Sequence, residues 1–172
     1  MDFSIRAANV EDCKDVARMN LDLAAYENVP EQCVPHKFCD LDLEQDGFSK
    51  NPFFQCLIAE VPQQHKSKDG YTSIGFALYF YSYSAWKGRS IYMEDLYVMP
   101  EFRGQGVGKA LLSKVAQRGL ASGCNMLNFT VLHANQSSVD LYLRRGGLDL
   151  TSDVGYHYMA FEEDALQQLA RT

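Results

Sequence analysis

One stretch constrains the fold of this chain more than any other: glycines recur at positions 104, 106 and 108, between a strand-like and a helix-like segment. Residues 89–99 are rich in branched and aromatic side chains, which favour a β-strand. Because glycines leave backbone N–H groups accessible at the start of a helix, the stretch predicts a strand–turn–helix unit that can bind an anion. On spacing alone, a glycine-rich turn without a ligand remains an open alternative.

Two common phosphate-binding motifs do not fit this turn. A dinucleotide fingerprint needs G-x-G-x-x-G and an acid about 20 residues later. Here the glycines alternate with single residues, and the strand-like segment 126–132 contains no acid. A P-loop needs a glycine where Arg103 stands and a hydroxyl where Ala110 stands. Both nucleotide-binding classes are therefore excluded.

The rest of the chain alternates between strand-like and helix-like segments. Asn9, followed by Asp12 three residues later, is the expected N-cap of the first helix, and Gly47 and Gly123 are expected to end the second and third helices. The third helix would bury a face made of Leu112, Val115, Ala116, Gly119 and Leu120. We expect strands at 3–7, 53–61, 73–83, 89–99, 126–132 and 155–161, and helices at 40–46, at 136–145 and from Glu162 onward. The fold class is therefore α/β (α+β), with an antiparallel meander at 53–99 inside a mixed, mostly antiparallel sheet flanked by helices.

Composition narrows the classes of function. A chain of 172 residues is expected to form a single domain, residues 1–172. Sixteen Lys and Arg against 22 Asp and Glu give a net charge of −6, which disfavours nucleic acid and anionic membranes and favours cationic ligands. With no signal-like start and an odd number of cysteines, five, we expect reduced thiols and a cytoplasmic protein.

A metal site is the weakest of the candidate functions. Cys33, His36 and Cys39 lie close enough in sequence to suggest a metal knuckle. No fourth ligand stands at a suitable spacing, and a structural zinc site needs four. We therefore expect no metal.

The turn and several longer motifs together resemble those of a known protein family. Arg103, Gly106 and Gly108 fit Gln/Arg-x-x-Gly-x-Gly/Ala, the signature of the GNAT superfamily of acetyl-CoA-dependent N-acetyltransferases. The chain resembles the diamine acetyltransferase branch along nearly its whole length, through the segments LAAYE (23–27), DGF (46–48), NPFFQCL (51–57), YMED (92–95) and DLYLRRG (140–146). The resemblance implies the GNAT fold, with a splayed central pair of strands, acetyl-CoA as cosubstrate, a small-molecule amine as substrate, and a homodimer.

Within that branch, the segment 83–89 resembles the thialysine acetyltransferases. The polyamine acetyltransferases of the branch typically carry Asp-Pro where Ser84 and Ala85 stand. A polyamine presents cations at both ends, so a further acid suits it, whereas the carboxylate of a diamino acid would be repelled by that acid. The resemblance thus favours thialysine-like substrates, with spermidine and spermine as the alternative and peptide or protein lysines as another class. A catalytically silent acetyl-CoA-binding module also stays open.

The resemblance implies two catalytic residues. A free alkyl amine has a pKa near 10.4, so only about one molecule in 10³ to 10⁴ is neutral at pH 7, and a base must take its proton. Glu94 is the implied base, and Tyr142 is the implied acid that protonates the leaving thiolate. In a regular strand, Glu94 and Asp95 would face opposite sides, so only one of them could line a given cleft.

Binding residues are carried over by the same resemblance. The implied acetyl-CoA contacts are Leu96, Tyr97, Val98, Arg103, Gly104, Gln105, Gly106, Val107, Gly108, Lys109, Asn128, Phe129, Thr130, Asn135, Gln136, Ser137 and Ser138. The implied amine contacts are Tyr26, Glu27, Ser84, Trp86, Glu94 and Asp95. The chain departs from the branch at His133-Ala134, where an acid and a Trp are usual, and at Tyr156, where a Trp is usual. The loss of two indoles predicts a reshaped amine pocket.

Overall fold

A computed structural model describes residues 1–29 and 40–171 of the chain. Cys33, His36 and Cys39, the candidate metal ligands, lie outside the described residues. The chain divides into two compact units, Met1–Thr130 and Val131–Thr172. No helix in the described ranges is both long enough and apolar enough to cross a membrane.

The first unit is built on a five-stranded sheet in the order β1-β2-β3-β4-β5. The strands are β1 (Ser4–Ala7), β2 (Gln55–Glu60), β3 (Ser73–Ser84), β4 (Gly88–Val98) and β5 (Met126–Asn128). Neighbours from β1 to β4 pair antiparallel, and β4 pairs parallel with β5. This topology confirms the predicted meander and the mixed, mostly antiparallel sheet.

In the described part of this unit the sheet is accompanied by three α-helices: α1 (Cys13–Tyr26), α2 (Asp40–Phe48) and α3 (Val107–Ala121). The predicted N-terminal cap is confirmed, because Asn9 and Asp12 form a reciprocal capping box just before α1. The prediction that Gly47 ends α2 is wrong, since the helix continues to Phe48. A Cβ at Gly47 would lie 2.5 Å from the ring of Phe54, so the glycine allows close packing there.

The buried face of α3 agrees with the prediction at Val115 and Gly119 and differs from it elsewhere. Val107, Leu111, Val115 and Gly119 are buried, whereas Leu120 is 73% exposed. These residues follow the i, i+4 spacing of one helical stripe, displaced from the predicted one. Gly119 lies on this stripe because Ile91 of β4 packs against it, with its Cγ2 3.1 Å from where a Cβ would be. The stripe holds α3 tightly on the sheet beside β4.

The second unit contains three helices: α4 (Gln136–Arg144), α5 (Leu150–Val154) and α6 (Glu163–Leu169). The predicted helices near 136 and 162 are confirmed, but the predicted strand at 155–161 is wrong. Gly155 has a φ of 80° and caps the C-terminus of α5, and residues 156–161 are exposed. A strand needs a hydrogen-bonded neighbour, and the pairings among the described residues give this segment none.

Candidate active site

The sheet opens beside its edge strand β5, where β4 and β5 part. Ser90, Ile91 and Tyr92 of β4 pair with Met126, Leu127 and Asn128 of β5, and the pairing stops there. The predicted strand 126–132 therefore ends early, at Asn128, while β4 continues to Val98. Along its last residues, β4 pairs with β3 on one edge and with no described strand on the other. An extended ligand with amide groups could hydrogen-bond to this edge as an added strand would.

A β-bulge in β4 decides where the two adjacent acids lie. Met93 pairs with Tyr79 and Asp95 pairs with Leu78, so Glu94 is the extra residue between them. The regular alternation expected from the sequence is wrong at this point. Met93 and Asp95 lie on opposite faces of the sheet, Asp95 is half-buried, and Glu94 is exposed at the bulge.

Three carboxylates interact around the bulge. Burial, and next the negative charges of Glu94 and Glu27, raise the pKa of Asp95 from 3.8 to about 7. Burial also raises the pKa of Glu27, which follows the last residue of α1. Such a group of acids would be stabilised by a bound cation. No set of three His, Cys, Asp or Glu side chains in residues 1–29 and 40–171 is arranged to hold a metal.

The glycine-rich turn joins β4 to α3 and fits an anion. Gly104 and Gly106 have φ values of 74° and 88°, a conformation that favours glycine, and Gly106 is the N-cap of α3. A Cβ at either position would meet no atom within 4 Å, so the backbone is open on that side. Val107 is buried and can offer a ligand only its backbone, while Gln105 and Lys109 are exposed. The N–H groups of the first turn of α3 therefore form a cradle for phosphate.

Arg103 connects this turn to the end of α1. Its Nε donates to the carbonyl of Val98 over 2.8 Å. Its guanidinium lies 4.5 Å from the ring centroid of Tyr26 and 5.6 Å from that of Tyr97. Tyr26 was expected to contact the amine, and Arg103 and Tyr97 to contact acetyl-CoA. The structure brings residues expected to bind different ligands into contact.

Ser84 and Trp86 lie elsewhere, at the tip of the β3–β4 hairpin. The Oγ of Ser84 accepts hydrogen bonds from the backbone N–H groups of Trp86 and Lys87, at 3.3 and 3.1 Å. Trp86 is 87% exposed. From the hairpin to Glu94, β4 covers about six residues of ~3.3 Å each, so the tip lies about 20 Å from the acids. One copy of this unit does not bring Ser84 and Trp86 together with Glu27 and Asp95.

The second unit carries the remaining predicted residues on α4. Asn135 is the N-cap, and its Oδ1 accepts hydrogen bonds from the Ser138 N–H and the Ser137 hydroxyl, while Gln136 begins the helix. Tyr142 is half-buried, and burial raises the pKa of its hydroxyl above the ordinary value of 10. Tyr142 is therefore protonated at neutral pH, as a general acid must be.

Sequence reasoning missed Arg18, which fixes α1 against the sheet. Its guanidinium lies 3.8 Å from the ring centroid of Tyr71, donates to the carbonyl of Ser73 over 3.1 Å, and pairs with Asp15 at 3.2 Å. These contacts anchor α1 two turns before Tyr26 and Glu27. A signal was present in the sequence, because Arg18 stands beside the buried Met19 with Asp15 three residues before it.

The known proteins that this chain resembles in sequence are acetyltransferases. A model of the Acetyltransferase (GNAT) family matches residues 20–147. The chain is 43% identical over 166 residues to the thialysine N-epsilon-acetyltransferase of Sus scrofa, and the match covers 96% of each protein. It is 39% identical over 168 residues to spermidine/spermine N(1)-acetyltransferase-like protein 1 of Homo sapiens, covering 98% of this chain and 24% of the human protein.

Solved structures share the fold at low sequence identity. An integron cassette protein from the mobile metagenome of V. cholerae superposes with a TM-score of 0.75 at 23% identity, over 100% of this chain and 99% of that one. The aminoglycoside N-acetyltransferase AAC(6')-Iy in complex with CoA gives a TM-score of 0.68 at 19% identity, over 95% of each chain. Both likenesses support the α/β fold expected from the sequence.

Proposed function

Because this chain belongs to the GNAT family and is an N-acetyltransferase acting on a small-molecule amine, we propose that it acetylates a primary amine of a thialysine-like diamino acid. The acetyl donor is acetyl-CoA, and the amine attacks it directly while both are bound. The observation that carries the proposal is the carboxylate group of Glu27, Glu94 and Asp95, at the place where β4 loses its β5 partner. It supports a cation site beside an edge that could bind an amide-containing chain.

The acetyl-CoA site fits the residues present. Acetyl-CoA brings a reactive thioester, two amides in its pantetheine arm and a pyrophosphate. The backbone of Leu96, Tyr97 and Val98 would bind the amides along the open edge of β4, next to Asn128, Phe129 and Thr130 at the end of β5. The turn from Arg103 to Lys109 would hold the pyrophosphate. Asn135, Gln136, Ser137 and Ser138, at the start of α4, complete the proposed contacts. The CoA complex of a protein with the same fold supports this choice of cosubstrate.

The three acids have different proposed roles toward the amine: two bind its ammonium groups and one accepts a proton. Asp95 and Glu27 pair with the ammonium groups of the substrate, and a bound cation lowers the pKa of Asp95 back toward its ordinary value. Glu94, exposed at the bulge, accepts the proton of the attacking nitrogen, directly or through one water. The nitrogen then forms a bond to the acetyl carbon as the carbon–sulfur bond breaks. The Tyr142 hydroxyl supplies the proton that the departing sulfur needs. The second proton, which the nitrogen loses as the amide forms, is released to water, and a proton from water restores the Tyr142 hydroxyl.

Thialysine-like substrates have the stronger support. The chain is 43% identical to the thialysine acetyltransferase of Sus scrofa and 39% identical to the human spermidine/spermine-type relative. Ser84 adds no negative charge that would repel a substrate carboxylate. Polyamine acetylation is the second candidate, because the three acids Glu27, Glu94 and Asp95 would also suit a substrate with several cations.

The hairpin tip leads us to propose a homodimer. Ser84 and Trp86 lie about 20 Å from Glu94 along β4, too far to share one ligand site within the unit. If they contact the amine, the hairpin of a second copy must bring them there. We further propose that residues 1–172 form one domain, since the family match at 20–147 spans both compact units. Location in the cytoplasm and the lack of nucleic-acid or membrane partners stay predictions from charge and composition.

An amine panel tests the proposed function. CoA release from acetyl-CoA would be measured with thialysine, lysine, ornithine, putrescine, spermidine, spermine and histamine, with Glu94→Gln and Tyr142→Phe as the impaired variants. We expect kcat/KM to be highest for the amines that carry a carboxylate. Preference for spermidine would instead favour the polyamine candidate, and no turnover of any amine would contradict both.

A further inference from the structure

We propose that Tyr26 is a positioning residue for acetyl-CoA binding, acting through Arg103, and not a contact for the amine. The inference rests on the proposed function, because it takes acetyl-CoA to be bound by the turn that contains Arg103. It departs from the resemblance, which placed Tyr26 with the amine.

The ring of Tyr26 already faces a cation. The Arg103 guanidinium lies 4.5 Å from its centroid, inside the ~6 Å range within which a cation is attracted to an aromatic face. A guanidinium stays charged at every pH at which the enzyme works, so this contact persists without substrate. A substrate ammonium would have to compete with a cation that belongs to the protein.

Three groups hold Arg103: the carbonyl of Val98, the ring of Tyr97 and the ring of Tyr26. The carbonyl of Val98, the last residue of β4, accepts the Nε–H at 2.8 Å. On the β4 side, Tyr97 is 4% exposed and its ring centroid lies 5.6 Å from the guanidinium. Tyr26 approaches from α1 and is the one exposed member of the two rings. Arg103 is therefore confined between the end of α1 and the end of β4 before any anion arrives.

This confinement favours pyrophosphate binding. A free arginine side chain on a turn loses rotational freedom when it pairs with an anion, and a guanidinium that is already held loses less. The Nε–H group uses one of five donors, so the guanidinium can still bind an anion while it is held. Arg103 also adjoins Gly104, in the turn whose N–H groups form the phosphate cradle.

Two consecutive residues at the end of α1 thus serve different ligands. The side chain of Tyr26 contacts Arg103, and the charge of Glu27 acts on Asp95. Arg18 anchors the same helix to the sheet two turns earlier, so both contacts depend on one rigid element. The geometry predicts that substitution of Tyr26 weakens binding of CoA, whereas substitution of Glu27 weakens binding of the amine.

Equilibrium binding separates these effects. Dissociation constants for CoA, measured by calorimetry without amine, would be compared for the wild type and for Tyr26→Leu, Tyr26→Phe and Glu27→Gln. Loss of an exposed cation–π contact of about 0.5–1 kcal/mol corresponds to about 2–5-fold weaker CoA binding in Tyr26→Leu. Phe keeps the ring face, so Tyr26→Phe should bind CoA within about twofold of the wild type. Glu27→Gln should leave CoA binding unchanged and raise the KM for the amine.

Further variants test the route through Arg103. In an Arg103→Ala background, Tyr26→Leu should weaken CoA binding no further, because the contact is already gone. Tyr83→Leu, which removes an exposed ring from the hairpin, is the matched control and should leave CoA binding unchanged. In the free protein, NMR should show that exchange of the Arg103 Nε proton is faster in Tyr26→Leu than in Tyr26→Phe.

The outcomes distinguish the two proposals. A wild-type protein that binds no CoA would overturn the acetyl-CoA assignment, and this inference with it. Normal CoA binding by Tyr26→Leu, with a raised KM for the amine, would overturn the inference alone and return Tyr26 to the amine site. Equal losses of CoA affinity from Tyr26→Leu in the wild-type and Arg103→Ala backgrounds would also overturn it.

Discussion

Two regions were expected to bind the amine, and they differ in how completely one chain builds them. At the end of β4, Asp95 is half-buried beside two other acids, and its pKa is raised to about 7. At the hairpin tip, Ser84 makes only turn hydrogen bonds and Trp86 is 87% exposed. A cation would stabilise the half-buried acid, as the proposed function requires, whereas an exposed indole on a satisfied turn would become buried only against a second molecule, as the proposed dimer requires.

The largest expected effect is a loss of kcat when the proposed base in the first region, Glu94, is substituted. Glu94→Gln removes the proposed base and should lower kcat by about 10²–10⁴ at pH 7, because general-base catalysis has this magnitude. The loss should shrink at high pH, where more of the amine is already neutral. Steady-state rates from pH 6 to 10 would measure it. Glu11→Gln, at an exposed acid near the start of α1, is the control, and an equal loss there would remove Glu94 from this function.

The second prediction concerns Asp95 and reveals what its burial costs. Its pKa is about 7 in the folded protein against 3.8 for an ordinary Asp, so between these pH values the folded state binds more protons than the unfolded state. Folding stability should therefore fall as pH rises from about 4 to about 7, and Asp95→Asn should abolish this fall. We expect the variant to be more stable than the wild type at pH 8, by up to about 4 kcal/mol, while its KM for the amine rises.

Thermal and urea unfolding at pH 4, 6 and 8 would test this second prediction. Asp22→Asn on α1 is the control, since Asp22 is exposed and this variant keeps Asp95, so its stability should fall with pH as that of the wild type does. An Asp95→Asn variant that is less stable than the wild type at pH 8 would mean that the buried carboxylate is satisfied in the free protein.

A third prediction sharpens the comparison by asking which chain supplies Trp86. Trp86→Ala should raise the KM for the amine and change the free energy of unfolding by less than about 0.5 kcal/mol, as expected for an exposed side chain. If the tryptophan acts across a dimer, mixing Trp86→Ala chains with Glu94→Gln chains restores one intact site per mixed dimer. Activity should then recover to about a quarter of the wild-type value after subunit exchange. No recovery would place Trp86 outside a shared site.

The smallest effects are expected at Ser84. Ser84→Ala removes the acceptor of two backbone N–H groups, and should destabilise the hairpin by about 0.5–1.5 kcal/mol. Ser84→Asp keeps an acceptor there and adds a negative charge, so it should shift the ratio of kcat/KM values toward spermidine and away from thialysine. Comparing the two variants on both amines separates turn stability from charge. An unchanged ratio in Ser84→Asp would contradict the charge argument.

Much of the fold was predictable because its signals are local. The Asn9 capping box, the three strands of the meander and the glycine turn before α3 each depend on residues close in sequence. The predicted strand at 155–161 failed for the opposite reason. Alternating aromatic residues express only a local preference, and a strand also requires a distant partner, which the described residues do not provide.

The sequence suggested which residues belong to the site, but it did not show how those residues are arranged. The bulge at Glu94 depends on the register between β4 and β3, although one sequence signal existed: regular alternation would have placed Asp95 on the same face as the buried Met93. The contact between Tyr26 and Arg103 joins two segments far apart in sequence. No periodicity reports such a contact, so the sequence alone could not show that Tyr26 lies beside Arg103.

The central claim is that Asp95, with the neighbouring acids Glu27 and Glu94, binds the cationic groups of a small amine. An NMR titration of the Asp95 carboxyl carbon, without ligand and with saturating thialysine, tests it most directly. We predict a pKa of about 7 in the free protein and a clear decrease when thialysine is bound, with spermidine as the comparison ligand. A carboxyl that titrates near 3.8 in the free protein, and does not respond to either amine, would contradict the account.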